Sequence, residues 1–432
     1  MNSSSFSDSA LPPSLWAATA PAALAMPPCG ESKHVDVLII GAGYTGLSTA
    51  LHLAERGVDV CVLEAHEPGW GASGRNGGQV IPGLKYDPDQ LCVMFGATKA
   101  EALINTIANA ADTVFDLIAR YRIDCDAVRQ GWIQPAHSTA VMKLLEQRAT
   151  QWAARGAPVE MLDRAAVARR IGTPAYVGAW VDRRAGSIHP LKYCRGLAQA
   201  AQAQGAAIHA HTAVTRLERL PQGWRVHTAN GPHITAQRVI IATNGYTGNL
   251  WPNLKQSVIA ANSFIVATKP LPAALGESIL AGREVVSDSR RLLLYYRRDA
   301  EGRLLMGGRG PFIDPQGAQD FAHLERSLTL LFPQLAGINY EYRWAGRVAI
   351  TRDFLPHVHE PAAGLSIALG YNGRGIAMAS TMGRYLAQRL CGDNSEPFPF
   401  PISTIQPIPL HRLQRFYIAA GVAYYSILDK FS

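Results

Sequence analysis

The sequence predicts an α/β protein that contains a nucleotide-binding domain of the Rossmann type. An apolar run at 35–40 is typical of a strand buried on both faces, a glycine turn follows it, and apolar residues then recur at helical spacing over 47–54. A second strand is predicted at 58–63, so that a strand, a helix and a strand lie within thirty residues. Such domains are built from this unit. The same order returns late in the chain, where a strand at 365–369, a glycine-rich turn and a helix at 376–390 are predicted.

Composition excludes several classes of protein. The 432 residues include 41 basic and 33 acidic side chains, a formal net charge of +8, and 48% of them are hydrophobic while 17% are charged, which excludes a disordered chain. The length predicts two to three domains. The basic residues are scattered, so no nucleic-acid partner is expected. The six cysteines show no CxxC pair or zinc spacing, so we expect no metal site and a cytoplasmic location with free thiols. No apolar stretch is long enough for an integral membrane segment.

The rest of the chain mixes both kinds of element. Apolar residues from Ile104 to Ile118 trace one face of a single long helix, and another helix is expected over 191–204. Residues 1–34 are rich in Ser, Ala and Pro, have no helical or strand period, and are interpreted as an extension over the body. Further strands are predicted at 123–134, 176–181, 208–217, 224–228, 239–241, 262–267, 292–296 and 304–307.

Gly41, Gly43 and Gly46 form a GxGxxG motif between the first strand and its helix. The first glycine permits the tight turn, the second lets a pyrophosphate approach the backbone, and the third brings the helix close to the strand. The helix N-terminus favours phosphate. Glu64 ends the second strand 18 residues after Gly46, where its carboxylate could accept hydrogen bonds from a ribose. The motif predicts a dinucleotide but does not distinguish NAD from FAD.

Three later segments favour a flavin, although each alone could be a structural turn. Residues 71–79 (GASGRNGGQ) are too rich in glycine for a helix or strand and could wrap a flat cofactor, with Arg75 available for phosphate. Residues 240–245 end a buried strand in small side chains. Residues 370–375 (GYNGRG) lie between a strand and a helix, whose N-terminus could face the electron-rich edge of a flavin.

On these motifs the chain resembles the FAD-dependent amine and amino-acid oxidases of the D-amino-acid oxidase superfamily, and most closely the γ-glutamylputrescine oxidase group. The similar stretches are 36–79, 186–190, 239–246, 295–310, 343–353, 370–387 and 409–429. The resemblance implies an FAD-binding domain made of 35–120, 187–250 and 346–432, and a substrate domain of mixed sheet and helices made of 121–186 and 251–345.

The resemblance also implies an activity. A hydride would leave the carbon next to an amine nitrogen, the imine would hydrolyse, and the electrons would pass to O2 with formation of H2O2. The expected substrate is an amino-acid-like or polyamine-derived amine such as γ-glutamylputrescine. The alternatives are a cyclic imino acid such as L-pipecolate, or a dehydrogenase that uses a quinone or carrier. Flavin monooxygenation is disfavoured because no Gly-Asp pair precedes the last helix, and a non-enzymatic role is disfavoured by the intact glycine turns.

Cofactor contacts are expected from twenty residues: Gly41, Gly43, Tyr44, Thr45, Gly46, Glu64, Ala65, Ser73, Arg75, Asn76, Gly77, Gly78, Gln79, Val214, Thr243, Asn244, Gly373, Arg374, Gly375 and Ile376. FAD is expected to bind noncovalently, because sarcosine oxidases carry their flavin-linked cysteine where residues 347–351 of this chain have none. Two lysines of those enzymes, one for a substrate carboxylate and one for oxygen activation, are replaced here by Ala377 and a position near Leu305. This makes small N-methyl amino acids poor candidates and leaves the acceptor open.

Catalytic candidates are Arg374 and Arg309, either of which could bind a substrate carboxylate in bidentate fashion. A surface role for Arg309 is about as plausible. Tyr295 and Tyr296 alternate across a strand, so only one of them can face the pocket, and the sequence does not say which. His189 could touch flavin or substrate, although capping or packing is the more common role for such a residue, and Lys269 is a weaker candidate.

Overall fold

The computed structural model describes residues 10–23, 25–290, 292–414 and 416. Residues 1–9 of the predicted extension and 417–432 of the third predicted FAD-binding segment lie outside the described residues, as does most of the similar stretch at 409–429. The α/β class predicted from the sequence is confirmed: helices and strands alternate through the nucleotide-binding part, and mixed sheet dominates the rest.

The strands within these ranges are, in chain order, β1 (Lys33–Ile40), β2 (Val60–Leu63), β3 (Gln79–Val80), β4 (Trp132–Ala136), β5 (Val159–Asp163), β6 (Gly178–Asp182), β7 (Gly186–Ser187), β8 (Ala207–His209), β9 (Val214–Arg219), β10 (Trp224–Thr228), β11 (His233–Ile241), β12 (Ile259–Pro270), β13 (Val285–Ser287), β14 (Tyr295–Arg298), β15 (Arg303–Arg309), β16 (Tyr340–Ile350), β17 (His357–Ala362) and β18 (Leu365–Leu369).

The α-helices over the same ranges are α1 (Leu15–Thr19), α2 (Tyr44–Ala54), α3 (Pro88–Phe95), α4 (Ala97–Ala108), α5 (Ala110–Tyr121), α6 (Thr139–Ala153), α7 (Arg164–Ile171), α8 (Pro190–Ala203), α9 (Ala273–Ser278), α10 (Ala322–Leu331) and α11 (Gly375–Leu390).

The first sheet has the strand order β17, β18, β11, β1, β2, β8, with β10 and β9 added antiparallel to the beginning of β11. The pairs from β18 to β8 are parallel. The carboxyl ends of β2, β1, β11 and β18 therefore meet at one edge, where an open α/β sheet binds its ligands. On one face α2 packs against α8 and α11.

Strand β1 is buried on both faces, which explains its nearly continuous apolar run. Val37 and Ile39 belong to the core under the helices, whereas Leu38 and Ile40 belong to the core shared with β10 and β11. Burial on both faces of a parallel sheet requires apolar side chains at successive positions. The strand and the helix that follows it are confirmed as predicted from the sequence.

The second sheet has the order β16, β12, β15, β14, β13, β4, β6, β5 and is antiparallel except between β13 and β4. Its two faces differ. One face carries Phe264, Tyr296 and Met306 into a core closed by α7 and α10. The other carries Ile265 and Leu305 into a small core shared with α1 and α8. A two-stranded ladder of β3 and β7 also connects the 71–79 loop to the chain just before α8.

Four local predictions were wrong. The single helix predicted through Ile104 and Ile118 is two helices, α4 and α5, which meet at Asn109 with a bend of 41°. In the segment predicted as strand over 123–134, only the end is in β4, because its first part forms a loop with Asp126 at positive φ and a single bridge at Val128. The third is the strand predicted over 208–217, which is two strands, β8 and β9, because the chain turns between them at His211, whose φ is +50°. The fourth is the N-terminal segment, described next.

The N-terminal segment contains structure that composition did not indicate. Ser14 caps the short helix α1 by accepting a hydrogen bond from the Ala17 N–H, and Leu15 and Trp16 are fully buried against the second sheet. Two apolar side chains in one helical turn are too few to produce a helical period in the sequence, so α1 was not predicted. The predicted boundary between 345 and 346 falls within β16, which is one continuous strand.

Within the described ranges, no single helix is long and apolar enough to cross a membrane, and the bent pair α4 and α5 passes the test of length and composition only when taken together.

Gly46→Ala tests the close contact between α2 and β1. A Cβ at position 46 would overlap the carbonyl oxygen of Gly41, so we expect a loss of about 1–3 kcal/mol of stability, as for other overpacked sites. The control is Gly30→Ala, where the added Cβ meets nothing within 4 Å. Thermal unfolding measures both. Equal midpoints for the two variants would contradict the packing described here.

Candidate active site

The turn after β1 brings the backbone close to other segments. Gly41 donates from its N–H to the carbonyl of Leu63 at 2.9 Å, and its φ of +106° favours glycine. A Cβ at Gly43 would lie 3.0 Å from Ser73 Oγ, and one at Gly41 would lie 3.0 Å from the Ala242 carbonyl oxygen. Small residues are thus required at the N-terminus of α2, where the turn after β1 meets the segments that contain Ser73 and Ala242.

Glu64 lies at the end of β2 beside this turn. Its Oε2 accepts from the Ala42 N–H at 2.8 Å and its Oε1 accepts from the His66 N–H at 3.0 Å. Burial raises the pKa of the Glu64 carboxyl, and the backbone donors oppose that shift. Each carboxylate oxygen keeps a further lone pair for a ligand hydroxyl, since each can accept two hydrogen bonds.

The 71–79 loop is organised by the side chain of Asn76. Its Nδ2 donates to the carbonyls of Ala72 at 3.1 Å and Ser73 at 3.0 Å, and its Oδ1 accepts from the Gly78 N–H at 2.9 Å. The Ser73 hydroxyl accepts from the Tyr44 N–H at 3.0 Å and so connects the loop to α2. Polar side chains therefore hold a loop whose only regular structure is one short 3-10 helix, Ala72–Gly74, and the start of β3 at Gln79, which corrects the prediction that 71–79 contains no helix or strand.

Two predicted ligand residues of this loop have protein partners. Gln79 donates from Nε2 to the carbonyl of Val286 at 2.9 Å and accepts from the Ser287 hydroxyl at 2.8 Å, which ties the loop to the second sheet. Arg75 donates from Nε to the carbonyl of Trp70 at 2.7 Å, and its guanidinium lies 4.3 Å from the centre of the Trp70 ring. Burial lowers the pKa of Arg75.

The third turn, 370–375, is fixed from two sides. The Asn244 Oδ1 accepts from the Gly370 N–H at 2.9 Å, and the Asn372 Oδ1 accepts from the Thr351 N–H at 2.9 Å. Asn372 and Gly373 have φ of +50° and +89°. On the other side, the hydroxyls of Thr45 and Tyr371 lie 2.6 Å apart, which connects this turn to α2. Glycine and asparagine tolerate this left-handed backbone best.

One cavity of about 1210 Å³ collects these segments, because Gly43, Ser73 and Gly373 all lie in its wall. Of the twenty predicted cofactor residues, seventeen line it. The exceptions are Gly46 and Gly78, which pack behind the wall, and Val214, which begins β9 and faces the core of the first sheet. These three residues do not line the cavity, and their contact with a cofactor stays a prediction.

Tyr295 and Tyr296 point to opposite faces of the second sheet. Tyr295 lies in the cavity wall, its hydroxyl 2.8 Å from Ser263 Oγ and its ring above Gly77. Tyr296 is fully buried on the other face, where its hydroxyl donates to the hydroxyl of Tyr176 at 3.0 Å. The prediction of Tyr296 as a catalytic residue is therefore wrong, because strand alternation places it in the core away from the cavity.

The two predicted carboxylate-binding arginines differ in depth. Arg374 precedes α11, lies in the cavity wall and stacks over the Trp132 ring at 4.6 Å. Burial, with Arg148 nearby, lowers the pKa of Arg374 to about 10. Among the described residues its guanidinium has no hydrogen-bond or ion-pair partner. Arg309 also lines the cavity, but it is an exposed residue at the end of β15.

His189 and Lys269 are placed outside the cavity. His189 caps α8, since its Nδ1 accepts from the Lys192 N–H at 3.2 Å, and its Nε2 lies 3.0 Å from Thr19 Oγ1. Burial lowers the pKa of His189 to about 3, so the ring is neutral at ordinary pH. Lys269 is exposed near the end of β12. Capping was the more common role that the sequence suggested for His189.

Sequence reasoning missed a second polar part of the wall at 287–290. Asp288 is fully buried and accepts from Arg290 Nη1 at 2.6 Å and from the Leu294 N–H at 3.0 Å. Burial raises the pKa of Asp288, and Arg290 opposes that shift. Trp70, Tyr246 and Trp132 also line the cavity. The polar run Ser-Asp-Ser-Arg directly after an apolar strand is the sequence signal that could have indicated this part of the wall.

Comparison with known proteins decides the family. The family model described as "FAD dependent oxidoreductase" (DAO) matches residues 36–389. The chain belongs to this family of FAD-dependent oxidoreductases. Gamma-glutamylputrescine oxidoreductase of Escherichia coli K12 is 35% identical over 93% of this chain and 94% of its own. A probable oxidoreductase, OrdL, of Haemophilus influenzae is 33% identical over 94% of each.

Solved structures agree with the oxidoreductase fold. Glycine oxidase from Geobacillus kaustophilus superposes with a TM-score of 0.71 at 22% identity, covering 87% of this chain and 99% of that one. L-proline dehydrogenase from P. horikoshii gives a TM-score of 0.71 at 19% identity, over 85% and 96% of the two chains. The predicted FAD-binding Rossmann-type fold is confirmed.

The cavity of the oxidoreductase fits FAD. Its volume exceeds the roughly 300–1,000 Å³ of ordinary small-ligand pockets, so a dinucleotide and a substrate can be accommodated together. The glycine turn and Glu64 would hold the nucleotide end, whereas the 71–79 loop and the 370–375 turn would enclose the ring. The close approaches at Gly41 and Gly43 leave room for a pyrophosphate but none for side chains.

The two tyrosines provide a matched pair for testing the site. Tyr295→Phe removes a hydroxyl from the cavity wall, so we expect kcat/KM for an amine substrate to fall about three- to tenfold, the worth of one hydrogen bond. Tyr296→Phe removes the bond to Tyr176 in the core, and should cost about 1 kcal/mol of stability with unchanged kinetic constants. Steady-state kinetics and thermal unfolding measure the two effects. A fall in kcat/KM for Tyr296→Phe, with a loss of stability alone for Tyr295→Phe, would show that Tyr296 and not Tyr295 faces the cavity.

Proposed function

We propose that this oxidoreductase is an amine oxidase. It oxidises the carbon–nitrogen bond of an amino-acid-like or polyamine-derived amine to an imine, which water hydrolyses, and the electrons reduce O2 to H2O2. γ-Glutamylputrescine is the leading substrate. The name of the E. coli relative, which matches nearly the whole chain, supports this choice. A cytoplasmic location stays a prediction.

The guanidinium of Arg374 carries the proposal. It lies in the wall of the same cavity as the glycine turns, stacks over the Trp132 ring, and forms no hydrogen bond or ion pair within the described residues. A cation withdrawn from water is costly unless an anion pairs with it. A carboxylate from the amino-acid part of the substrate would supply two parallel hydrogen bonds to the guanidinium.

Arg309 is the other predicted carboxylate-binding arginine in the wall, nearer to solvent. γ-Glutamylputrescine separates its carboxylate from the terminal amine by a long chain, whereas an α-amino acid or L-pipecolate holds them next to one another. The arginine that binds the carboxylate therefore indicates which class of amine is oxidised. Replacement of each arginine in turn answers this question.

When bound, FAD accepts the hydride from the carbon next to nitrogen. The chain's own residues bind and orient the amine. The carboxylates of the described wall are engaged, Glu64 with backbone N–H groups and Asp288 with Arg290. We therefore assign deprotonation of the substrate ammonium to water. Nearby arginine charges lower the pKa of that ammonium, since like charges disfavour the charged form.

Noncovalent binding of FAD is part of the proposal. The wall contains no cysteine among the described residues, and burial raises the pKa of Cys194, which lies behind Gly69. A thiol that stays protonated is a poor nucleophile for a covalent link. Acid precipitation should therefore release all of the flavin into the supernatant, whereas flavin that stays with the protein would contradict this part of the proposal.

Anaerobic mixing of the FAD-loaded protein with single amines tests the proposed reaction. We expect γ-glutamylputrescine to bleach the flavin absorbance faster than L-pipecolate or sarcosine, and air then to restore it with one H2O2 per turn. If none of these amines bleaches the flavin, the amine assignment fails. If bleaching occurs but only a quinone restores the colour, the acceptor is not O2.

Arg374→Gln tests carboxylate binding. We expect KM for γ-glutamylputrescine to rise about tenfold or more, because a charge-assisted pair is lost, while KM for N-acetylputrescine, an analogue without a carboxylate, changes little. Arg309→Gln gives the same comparison for the arginine of the cavity wall that lies nearer to solvent. Arg384→Gln is the control on the same helix, where the arginine pairs with Glu396 outside the cavity. Equal changes for both substrates in both cavity variants would exclude carboxylate binding by either arginine.

A further inference from the structure

Three consecutive carbonyls of the 71–79 loop accept hydrogen bonds from side chains that come from three distant elements. Trp344 of β16 donates from Nε1 to the Arg75 carbonyl at 2.8 Å. Trp16 of α1 donates from Nε1 to the Asn76 carbonyl at 2.8 Å. Arg297 of β14 donates from Nε to the Gly77 carbonyl at 2.7 Å. We call these three side chains the carbonyl clamp.

The members of the carbonyl clamp are buried and contact one another. Trp16, Trp344 and Arg297 are 1%, 2% and 4% exposed. The two indole rings meet edge to face at 5.7 Å, and the Arg297 guanidinium lies 5.1 Å from the centre of the Trp16 ring. The three donors thus form one packed unit behind the loop, and none of the three lies in the cavity wall.

Peptide planarity transmits this arrangement to the cavity. The C=O and N–H of one peptide unit point in opposite directions, so a donor that fixes the Asn76 carbonyl also fixes the Gly77 N–H on the other side. The neighbouring N–H groups are used within the loop, that of Asn76 by the Ala72 carbonyl and that of Gly78 by the Asn76 side chain. Among the described residues no acceptor meets the Gly77 N–H, although Gly77 lines the cavity.

Arg297 also places a charge behind the loop. Its guanidinium donates to the carbonyls of Gly77 and Ile188, at 2.7 and 2.8 Å, and forms no ion pair within the described ranges. Burial lowers the pKa of Arg297 to about 10, so it remains cationic at neutral pH. A cation in a medium of low polarity acts over a longer range than one at the surface.

We propose that Trp16, Trp344 and Arg297 are positioning residues, which turn the carbonyls of the 71–79 loop away from the cavity and present the Gly77 N–H and a positive field to the flavin ring. The donor and the field favour the negative charge that the flavin gains on reduction. This inference rests on the placement of the ring in the proposed function. It makes the N-terminal segment part of the cofactor site.

A second contact supports the role of the N-terminal segment. Trp70, whose carbonyl accepts from the Arg75 Nε, donates from its own Nε1 to the Ala10 carbonyl at 3.1 Å. The segment is therefore attached to this part of the cofactor site at two points, through Trp16 and through Ala10. Segments that are merely draped over a surface need no such buried hydrogen bonds.

Trp16→Phe tests the carbonyl clamp, because it keeps the aromatic ring and removes the donor. The matched control is Trp224→Phe, where an equally buried indole donates to the Ala363 carbonyl at 3.3 Å, far from the cavity. We expect the dissociation constants of FAD and of sulfite, a probe of flavin electrophilicity, to rise about three- to tenfold in Trp16→Phe and to stay unchanged in the control. Equal values in the two variants would overturn the proposal.

Arg297→Gln and Arg297→Lys separate charge from geometry. Gln removes the cation, so we expect sulfite affinity to fall about tenfold or more, whereas Lys keeps the charge and should lie between Gln and the wild type. Sulfite affinity that is equal in all three proteins would overturn the role of the charge. Trp16→Phe alone decides the clamp if the arginine variants do not fold.

The outcomes are distinct from those of the amine test. If Trp16→Phe weakens FAD binding but no amine bleaches the flavin, the carbonyl clamp is supported and the proposed function is wrong. If an amine bleaches the flavin but Trp16→Phe leaves FAD affinity unchanged, the proposed function is supported and the carbonyl clamp is wrong.

Discussion

Parallel pairing of β2, β1, β11 and β18 is the constraint on which the rest of the structure depends. It brings Glu64, the 41–46 turn and the 370–375 turn to one edge of the first sheet, although more than 300 residues separate the first of these from the last. The second sheet then closes the cavity from the other side, with Tyr295 in its wall. Both sheets therefore contribute to the wall of the cavity.

The parts of the fold that the sequence predicted are those that local chemistry determines. Burial on both faces makes β1 apolar throughout, and the close contacts at Gly41 and Gly46 admit only glycine. The three glycine-rich segments were predicted to meet around one ligand, and they line one cavity. Each carries its own signal in a few adjacent residues, which is why a single sequence was sufficient.

The parts that the sequence did not predict depend on distant partners. Because side chains alternate along a strand, the sequence predicted that Tyr295 and Tyr296 face opposite sides of the sheet. Which of them is buried in the core depends on the packing of α10 against one face. Arg75 looked like a phosphate ligand, yet its position is set by Trp70 and Tyr246. Trp16 lies in a stretch rich in Ser, Ala and Pro, and nothing nearby in the sequence reveals its contact with Asn76.

The most direct measurement is a crystal structure of the protein with FAD and a carboxylate inhibitor that competes with the amine. We expect the pyrophosphate at the 41–46 turn, the flavin ring between Gly77 and Gly373, and the inhibitor carboxylate on Arg374 or Arg309 in the same cavity. A flavin ring outside this cavity, or an inhibitor bound in a separate pocket, would contradict it.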